Sequence, residues 1–272
     1  MGLGFAPRDY ELFREAVHQP HGVVLVTGPT GSGKTTTLYA VLKEITSLEV
    51  STFTLEDPIE YRMPLVRQTQ IREEIGFTFS IGLRALLRQD PDIILVGECR
   101  DTETATLIVR AALTGHIVFS TLHTNDAAGA IPRLLDMGVE PYLLPASLVA
   151  MLAQRLVRTI CPDCKRPVEN PAAVFADLKL EPSQNTPLQL WKGEGCRECK
   201  QSGYRGRQAI FELMVLDHRF HDPIVRRAGA PDYFRLAREK GMRSMFEDGM
   251  RQVLAGNTTI EEVLEATRAT AD

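Results

Sequence analysis

The sequence contains no apolar run approaching the roughly 18 to 20 residues that a membrane-spanning helix requires. Its opening residues, MGLGFAPRDYELF, carry no basic segment followed by an apolar one, so they do not read as a secretory signal. Internal repeats and low-complexity tracts are also missing. Positive charge is not in excess: 31 Lys and Arg against 35 Asp and Glu leave a net charge of −4. Such a balance gives no general attraction to phosphate backbones or anionic membranes, so nucleic acid is not the expected partner, although a local basic patch stays open. Cysteine is scarce, and the odd number of five is a poor basis for a secreted disulfide framework. The cytosol is expected, where thiols stay reduced and serve metals or plain packing.

The apolar fraction of 44% with 24% charged residues is that of a globular chain. At 272 residues it exceeds the common size of one domain, so a large domain with a smaller appendage is expected. Up to about residue 155, short β-rich apolar runs alternate with helical patterns, which argues for a mostly parallel sheet with helices on both faces. Strands are expected at Val23 to Thr27, Thr52 to Glu56, Ile93 to Val96 and Ile117 to Thr121, and helices at Gly33 to Thr46, Phe79 to Gln89 and Thr102 to Leu113. The stretch LLPASLVAMLAQRLVR, residues 143–158, reads as helical. A Pro, Cys and Gly-rich segment follows to about Gly206, and from Tyr233 the pattern is helical again. Thr258 or Thr259, followed by Glu261 and Glu262, makes a reasonable helix start.

GPTGSGKT, residues 28–35, fits G-x-x-x-x-G-K-[ST] between the strand VVLVT and a helix, the context that this motif requires. Glycines at 28, 31 and 33 let the backbone curl so that successive N–H groups face phosphate oxygens, and the helix N-terminus adds its positive end. Gly28, Pro29, Thr30, Gly31, Ser32, Gly33, Lys34, Thr35 and Thr36 are the expected nucleotide-binding residues. Lys34 is placed to reach the β and γ phosphates, and Thr35 to offer its hydroxyl to Mg²⁺.

The residues that follow the other strands carry the remaining chemistry, since ligands of open α/β sheets bind at the carboxyl edge. TLEDPIEY, residues 54–61, groups Glu56, Asp57 and Glu60. Three carboxylates this close repel one another unless a cation compensates, as a Mg²⁺-nucleotide does; the bland alternative is a solvated Asp-Pro turn. Glu98 follows the strand IILV and can orient an attacking water, or else cap the helix at Thr102. His123 lies after the fourth strand and either senses a γ phosphate or packs. Arg84 and Arg88 stand four apart on one expected helix, either aimed at phosphate or simply solvated.

Two CxxC knuckles, Cys161 with Cys164 and Cys196 with Cys199, enclose residues 165–195. Four thiolates suit tetrahedral Zn²⁺ with no position left for water, a structural metal in a segment too poor in apolar periodicity for a large core. Local disulfides or a redox pair are the alternatives. Cys99 stands apart from this set.

With GPTGSGKTTT, TLEDPIEY, LRQDPDIILVGECRD, TGHIVFSTLHTNDA, QRLVRTICPDC and GYRGR, nearly the whole chain resembles the secretion ATPases that power type II secretion and type IV pilus assembly. The resemblance implies an α/β, RecA-like P-loop core over residues 1–158, a tetracysteine zinc module over 159–215 and a C-terminal helical subdomain over 216–272. It implies ATP with Mg²⁺ and structural Zn²⁺ as cofactors and a homo-hexamer as the working form. Glu98 matches the glutamate that activates water; Glu56, Asp57 and Glu60 match the acids near metal and nucleotide; and His123 matches the His-box histidine. Arg84 and Arg88 match arginines that contact nucleotide across the subunit interface, and Arg205 in GYRGR matches one linked to activity. The implied partners are an inner-membrane platform protein and a cytoplasmic adaptor, which recruit the protein to the cytoplasmic face of the inner membrane.

The tetracysteine module favours pilus or pseudopilus extension over retraction, because retraction members of the resembled family typically lack it. Two features depart from the family pattern. Cys99 replaces the aliphatic residue of VGEIRD, a thiol beside the expected catalytic acid and hence a hypothetical target for inhibitory alkylation. Family members also carry a domain upstream, so the chain reads as a truncated piece or an unusual short member, with slow ATP hydrolysis that rises on forced oligomerisation. A nucleic-acid translocating RecA-like ATPase and a nucleotide-gated interaction module without turnover are the competing readings, the latter weakened by Glu98.

Overall fold

The computed structural model describes residues 3–178 and 189–268. They divide into one unit made of the chain up to Gln154 with Glu212–Met242, and a second made of Arg155–Phe211 with the chain from Arg243 onward.

In the first unit, helix α1 (Pro7–Val17) precedes β1 (Gly22–Thr27), and α2 (Lys34–Ile45) leads to β2 (Thr52–Glu56) and β3 (Val66–Gln70). Then follow α3 (Phe79–Leu86), β4 (Ile93–Val96), α4 (Thr102–Leu113), β5 (Ile117–Leu122), α5 (Ala130–Asp136) and the short α6 (Leu144–Ser147). Strand β6 (Leu148–Ile160) runs on into the second unit. There, β7 (Lys165–Pro167), α7 (Pro171–Asp177) and β8 (Trp191–Gly193) precede β9 (Tyr204–Val215), which returns the chain to the first unit. The first unit ends with α8 (His221–Val225) and α9 (Ala230–Glu239), and the second with α10 (Met245–Leu254) and α11 (Ile260–Arg268).

The main sheet has the order β3-β2-β4-β5-β1-β6-β9, and every pairing from β3 to β6 is parallel. Parallel strands covered on both faces need continuous apolar runs rather than alternation, and GVVLVT, TFTLE, IILV and IVFSTL are buried along their whole length. Leu25, Leu55 and Ile94 on one face of the sheet and Phe119 on the other are buried, as are Phe13, Leu42, Leu83 and Ile108 of the helices. Each such side chain contributes about 1.5–3 kcal/mol by leaving water. Thr78 and Asp101 cap α3 and α4 by accepting the Ile81 and Thr104 N–H groups, whereas α2 begins at left-handed Gly33 without a side-chain cap.

Two expectations need correction. The stretch 143–158 is helical only at Leu144–Ser147, and from Leu148 it is strand. A short continuous apolar run has no period that separates helix from strand, and the deciding factor is the second edge of β1. Buried N–H and C=O groups of β1 on that side require partners, and Leu148 to Ala153 supply them opposite Val23 to Thr27. Helix α3 stops at Leu86 instead of reaching Gln89. Pro91 disfavours helical geometry at Asp90, which adopts a left-handed φ of 51°.

In the second unit, β7 and β8 form an antiparallel pair, with the Lys165 ammonium 4.7 Å from the Trp191 ring centroid. Helix α10 opens with a capping box between Ser244 and Glu247. Its Gly249 admits Val263 of α11 so closely that an added Cβ would lie 2.4 Å from Val263 Cγ1. The first turn of α11 carries Glu261 and Glu262 as expected. Glu262 accepts hydrogen bonds from the Arg158 guanidinium and backbone N–H, and Arg158 stacks 4.3 Å from the Tyr204 ring centroid.

Gly22 enters β1 at φ 132°, and a Cβ there would lie 2.3 Å from Val149 Cγ2. We expect Gly22→Ala to lower the urea midpoint through backbone strain of about 1–3 kcal/mol plus the clash with β6. Gly31→Ala, whose Cβ meets nothing within 4 Å, should cost less stability in the same titration.

Candidate functional site

The phosphate loop leaves β1 at Thr27 and enters α2 at Lys34, turning on glycines with φ of 147° at Gly28, 81° at Gly31 and 88° at Gly33. Space around Gly31 is open, so its left-handed backbone alone requires glycine. The Lys34 ammonium donates to the carbonyls of Gly28 at 2.8 Å and Pro29 at 3.0 Å, which holds the cation over the loop. Pro29, Thr30, Thr35 and Thr36 are exposed. The hydroxyls of Thr27 and Ser32, at the two ends of the loop, are buried with no protein partner. The first turn of α2 has no acidic residue and no side-chain cap, so its free N–H groups remain as donors. These donors, with one lysine, fit a polyphosphate.

Glu98 and His123 leave adjacent parallel strands, in which Val96 lies opposite Ser120. The Glu98 side chain is 13% exposed; one carboxylate oxygen lies 2.5 Å from the Arg100 guanidinium and the other 3.7 Å from His123 Nε2. Gly97, just before it, packs tightly against β2, where an added Cβ would stand 3.1 Å from the Leu55 carbonyl. Capping of α4 falls to Asp101, whose carboxylate accepts both the N–H and the hydroxyl of Thr104 at 2.8 Å, which leaves Glu98 free of that duty. Arg100 escaped the sequence reading, although its position two residues beyond Glu98 was a usable signal. Another unforeseen support is Glu212 of β9, whose buried carboxylate accepts the Ala127 N–H at 3.0 Å, just beyond His123.

The three acids after β2 separate. Asp57 and Glu60 are exposed, whereas Glu56 is buried and accepts hydrogen bonds from the Tyr39 hydroxyl, the Thr54 hydroxyl and Gln68 Nε2, the last at 3.1 Å. Burial, then the hydrogen bond to Glu56 and its charge, push the Tyr39 phenol well above its ordinary value, so it stays a donor. Glu56 thereby ties β2 to α2 and β3.

Arg84 pairs with Glu103 on the surface, an arrangement worth little by itself. Arg88 is exposed and lies in the turn beyond α3, so the two arginines do not share a helix face. Arg205, in the second unit, pairs with Asp163 at 3.0 Å, inside the first cysteine knuckle. Cys99 packs in the core with its N–H donated to the Thr121 carbonyl at 3.0 Å. Burial first, and the charge of Asp101 second, push its thiol up to about 12, so it stays protonated and shielded from alkylation.

All four remaining thiols are free, and their sulfurs lie within 4.8 Å of one another. Sulfur separations are 3.9 Å for Cys161–Cys196, 3.8 Å for Cys164–Cys199 and 3.7 Å for Cys196–Cys199. Tetrahedral zinc with bonds of about 2.3 Å requires edges of about 3.8 Å, so the set fits Zn²⁺ and is far too wide for disulfides. Cys199 Sγ accepts the N–H groups of Cys196 at 3.1 Å and Gly203 at 3.3 Å. Burial alone would raise this thiol, but those donors and the neighbouring thiols outweigh it and lower it to about 6, which favours a thiolate.

The family model described as "Type II/IV secretion system protein" matches residues 1–265. Over 266 residues the chain is 52% identical to the type II secretion system protein E of Pseudomonas aeruginosa, covering 98% of this chain and 52% of that protein. Over 265 residues it is 49% identical to the type IV pilus assembly ATPase PilB of Thermus thermophilus, covering 97% of this chain and 30% of that one. Among solved structures, the pilus retraction motor PilT with bound ADP matches with a TM-score of 0.71 and 29% identity, over 97% of this chain and 65% of that chain. The chain therefore spans about half the length of the first of these relatives, and less of the second.

Elemental analysis of the purified chain should find one zinc per chain, lost in Cys196→Ser. Chelation should open residues 159–178 to protease before the strands of the first unit; unchanged resistance in the metal-free protein would count against a structural metal.

Proposed function

The chain belongs to the type II/IV secretion system protein family, and on that premise we propose that it hydrolyses ATP to drive pilus or pseudopilus assembly. The observation that carries this reading is the convergence of three parallel strand ends: the phosphate loop after β1, Glu98 after β4 and His123 after β5. Gly28 to Thr36 bind the nucleotide, with Lys34 released from the loop carbonyls to the β and γ phosphates. Thr35, Asp57 and Glu60 are the residues to hold Mg²⁺, which supplies charge neutralisation on the phosphates. Glu98, fixed by Arg100 on one oxygen and facing His123 on the other, orients the attacking water. Glu56 acts through Tyr39 and Gln68 to hold the acidic loop, so its contribution is positional.

Arg84, Arg88 and Arg205 are assigned to nucleotide contacts across the subunit interfaces of a homo-hexamer, where cationic forks neutralise the transferring phosphoryl group. Zinc held by Cys161, Cys164, Cys196 and Cys199 would be structural. The work is delivered to an inner-membrane platform protein, with a cytoplasmic adaptor recruiting the ring to the cytoplasmic face of the inner membrane. No helix among the described residues is long and apolar enough to cross a membrane. A nucleic-acid translocase is less well supported, because the net charge of −4 supplies no general attraction to a phosphate backbone.

In a phosphate-release assay, Glu98→Gln should lower turnover about 10²–10⁴-fold while ATP still binds. Lys34→Ala should abolish turnover and weaken binding with the fold intact. Turnover of the wild-type chain should rise when it is fused to a hexamer-forming partner; fast turnover by a strict monomer would contradict the assignment of Arg84, Arg88 and Arg205 across an interface.

A further inference from the structure

The carboxyl end of β1 is held from the side by a residue that the phosphate-loop motif does not include. Thr27, the last residue of β1, lies opposite Ala153 of β6, so Gln154 comes level with the point where the loop departs. Its side chain is buried. Gln154 Nε2 donates to the Ser32 carbonyl at 2.7 Å, and Gln154 Oε1 accepts the Thr37 hydroxyl of α2 at 2.7 Å. The Ser32 carbonyl, which can only accept, fixes which end of the amide is which. The NH₂ end faces the loop, which leaves the oxygen facing Thr37.

One peptide unit makes this contact consequential. The Ser32 carbonyl and the Gly33 N–H belong to the same trans peptide, so they point in opposite directions. Anchoring the carbonyl on Gln154 turns the Gly33 N–H away from β6, and the left-handed Gly33 then starts α2 with its first-turn donors free. From these contacts we infer that Gln154 is the positioning residue that holds the phosphate loop in its nucleotide-binding shape, with Thr37 anchoring the other end of its amide. This inference rests on the reading of the loop as a nucleotide site and adds a residue from a strand outside the motif. Asparagine is one methylene too short to span Ser32 and Thr37 together. An apolar replacement leaves two buried polar groups unpaired.

The chemistry of the amide supplies a test that general destabilisation does not mimic. A protonated glutamic acid has the shape of glutamine, with an O–H to donate to the Ser32 carbonyl and a C=O to accept from Thr37. Ionised, it has no donor and brings a negative charge to the phosphates. Burial raises the pKa of such a carboxyl, so the two forms exchange within an accessible range.

Binding of a fluorescent ATP analogue should be titrated between about pH 5 and pH 9 with the full chain and its Gln154→Met, Gln154→Glu and Thr37→Val variants, the urea midpoint of each reporting folding. We expect Gln154→Met to bind about 10- to 100-fold more weakly at every pH. Turnover at saturating ATP should fall by a smaller factor than affinity does. Gln154→Glu should approach wild-type affinity at the acid end and lose it as pH rises, a trend absent from the wild type. Thr37→Val should weaken binding in the same direction by a smaller factor. Wild-type affinity in folded Gln154→Met, or the same pH profile for Gln154→Glu and wild type, would overturn the role given to Gln154 while leaving the ATPase reading in place. Should Gln154→Met not fold, the pH profile of Gln154→Glu and the affinity of Thr37→Val decide. A wild-type chain that binds no nucleotide at any pH would overturn both.

Discussion

Everything at the candidate site depends on β1 being hydrogen-bonded along both edges while buried on both faces. Its N–H and C=O groups are divided between β5 and β6, and all six of its residues are buried. A strand enclosed in this way cannot shift register without unpairing backbone groups in a dry interior, each at a cost of the order of 1–3 kcal/mol. Its end point is therefore fixed, and because its neighbours are parallel, their ends are fixed on the same edge. The chain leaves the sheet there at Gly28, Gly97 and His123. Local chemistry then needs only short loops, and short loops on a rigid edge hold their side chains well.

How much of this was legible in the sequence follows from how local each cause is. The phosphate loop was legible because its glycines act through their own φ angles, and the cysteine cluster because thiols three residues apart form a knuckle without help from distant elements. Glu98 was legible because the apolar run IILV announces a strand and the next acid must lie near its end. Strand β6 was not, since Leu148 to Ala153 carry no period and only the open edge of β1 decides their state. Gln154 was lost with it: in a helix it would have been one polar residue among apolar ones, but in a strand it stands at the edge beside Ser32. Glu56 and Asp57, adjacent in sequence, looked equivalent. The alternation of side chains along an extended chain sends one into the Tyr39 and Gln68 network and the other to solvent.

In the second unit, thiols replace the role that apolar side chains play in the first. Between Cys161 and Cys199, few residues can build a core, and Cys161, Cys164 and Cys199 are themselves its buried members. The sulfur spacing is set by backbone donors: Gly203 gives its N–H to Cys199 Sγ, and its carbonyl accepts the Cys161 N–H at 2.9 Å. Gly203, the residue just before β9, therefore touches both knuckles. Close packing requires glycine at both 193 and 203, because a Cβ on Gly193 would fall 2.0 Å from the Gly203 carbonyl oxygen and one on Gly203 would fall 2.5 Å from that of Gly193. The knuckles are thus held by main-chain geometry as well as by sulfur chemistry, and a metal ion would close a cluster that the fold has already gathered.

The same logic of shared partners explains why Glu98 suits a water-orienting task better than the acids after β2. A carboxylate has several lone-pair directions, and a group that orients water must keep some of them available while its rotamer is held. Glu56 has spent its acceptors on Tyr39, Thr54 and Gln68, so a water would have to displace a buried donor. Asp57 and Glu60 are exposed and lack a comparable clamp among the contacts described above. Glu98 is intermediate: Arg100 fixes one oxygen at 2.5 Å, and His123, at 3.7 Å from the other, is too distant for a full hydrogen bond. The second oxygen is thereby aimed without being consumed. A small movement of the loop after β5, supported from β9 by Glu212, would close that gap or widen it, so under the proposed function the state of a bound phosphate would be felt there.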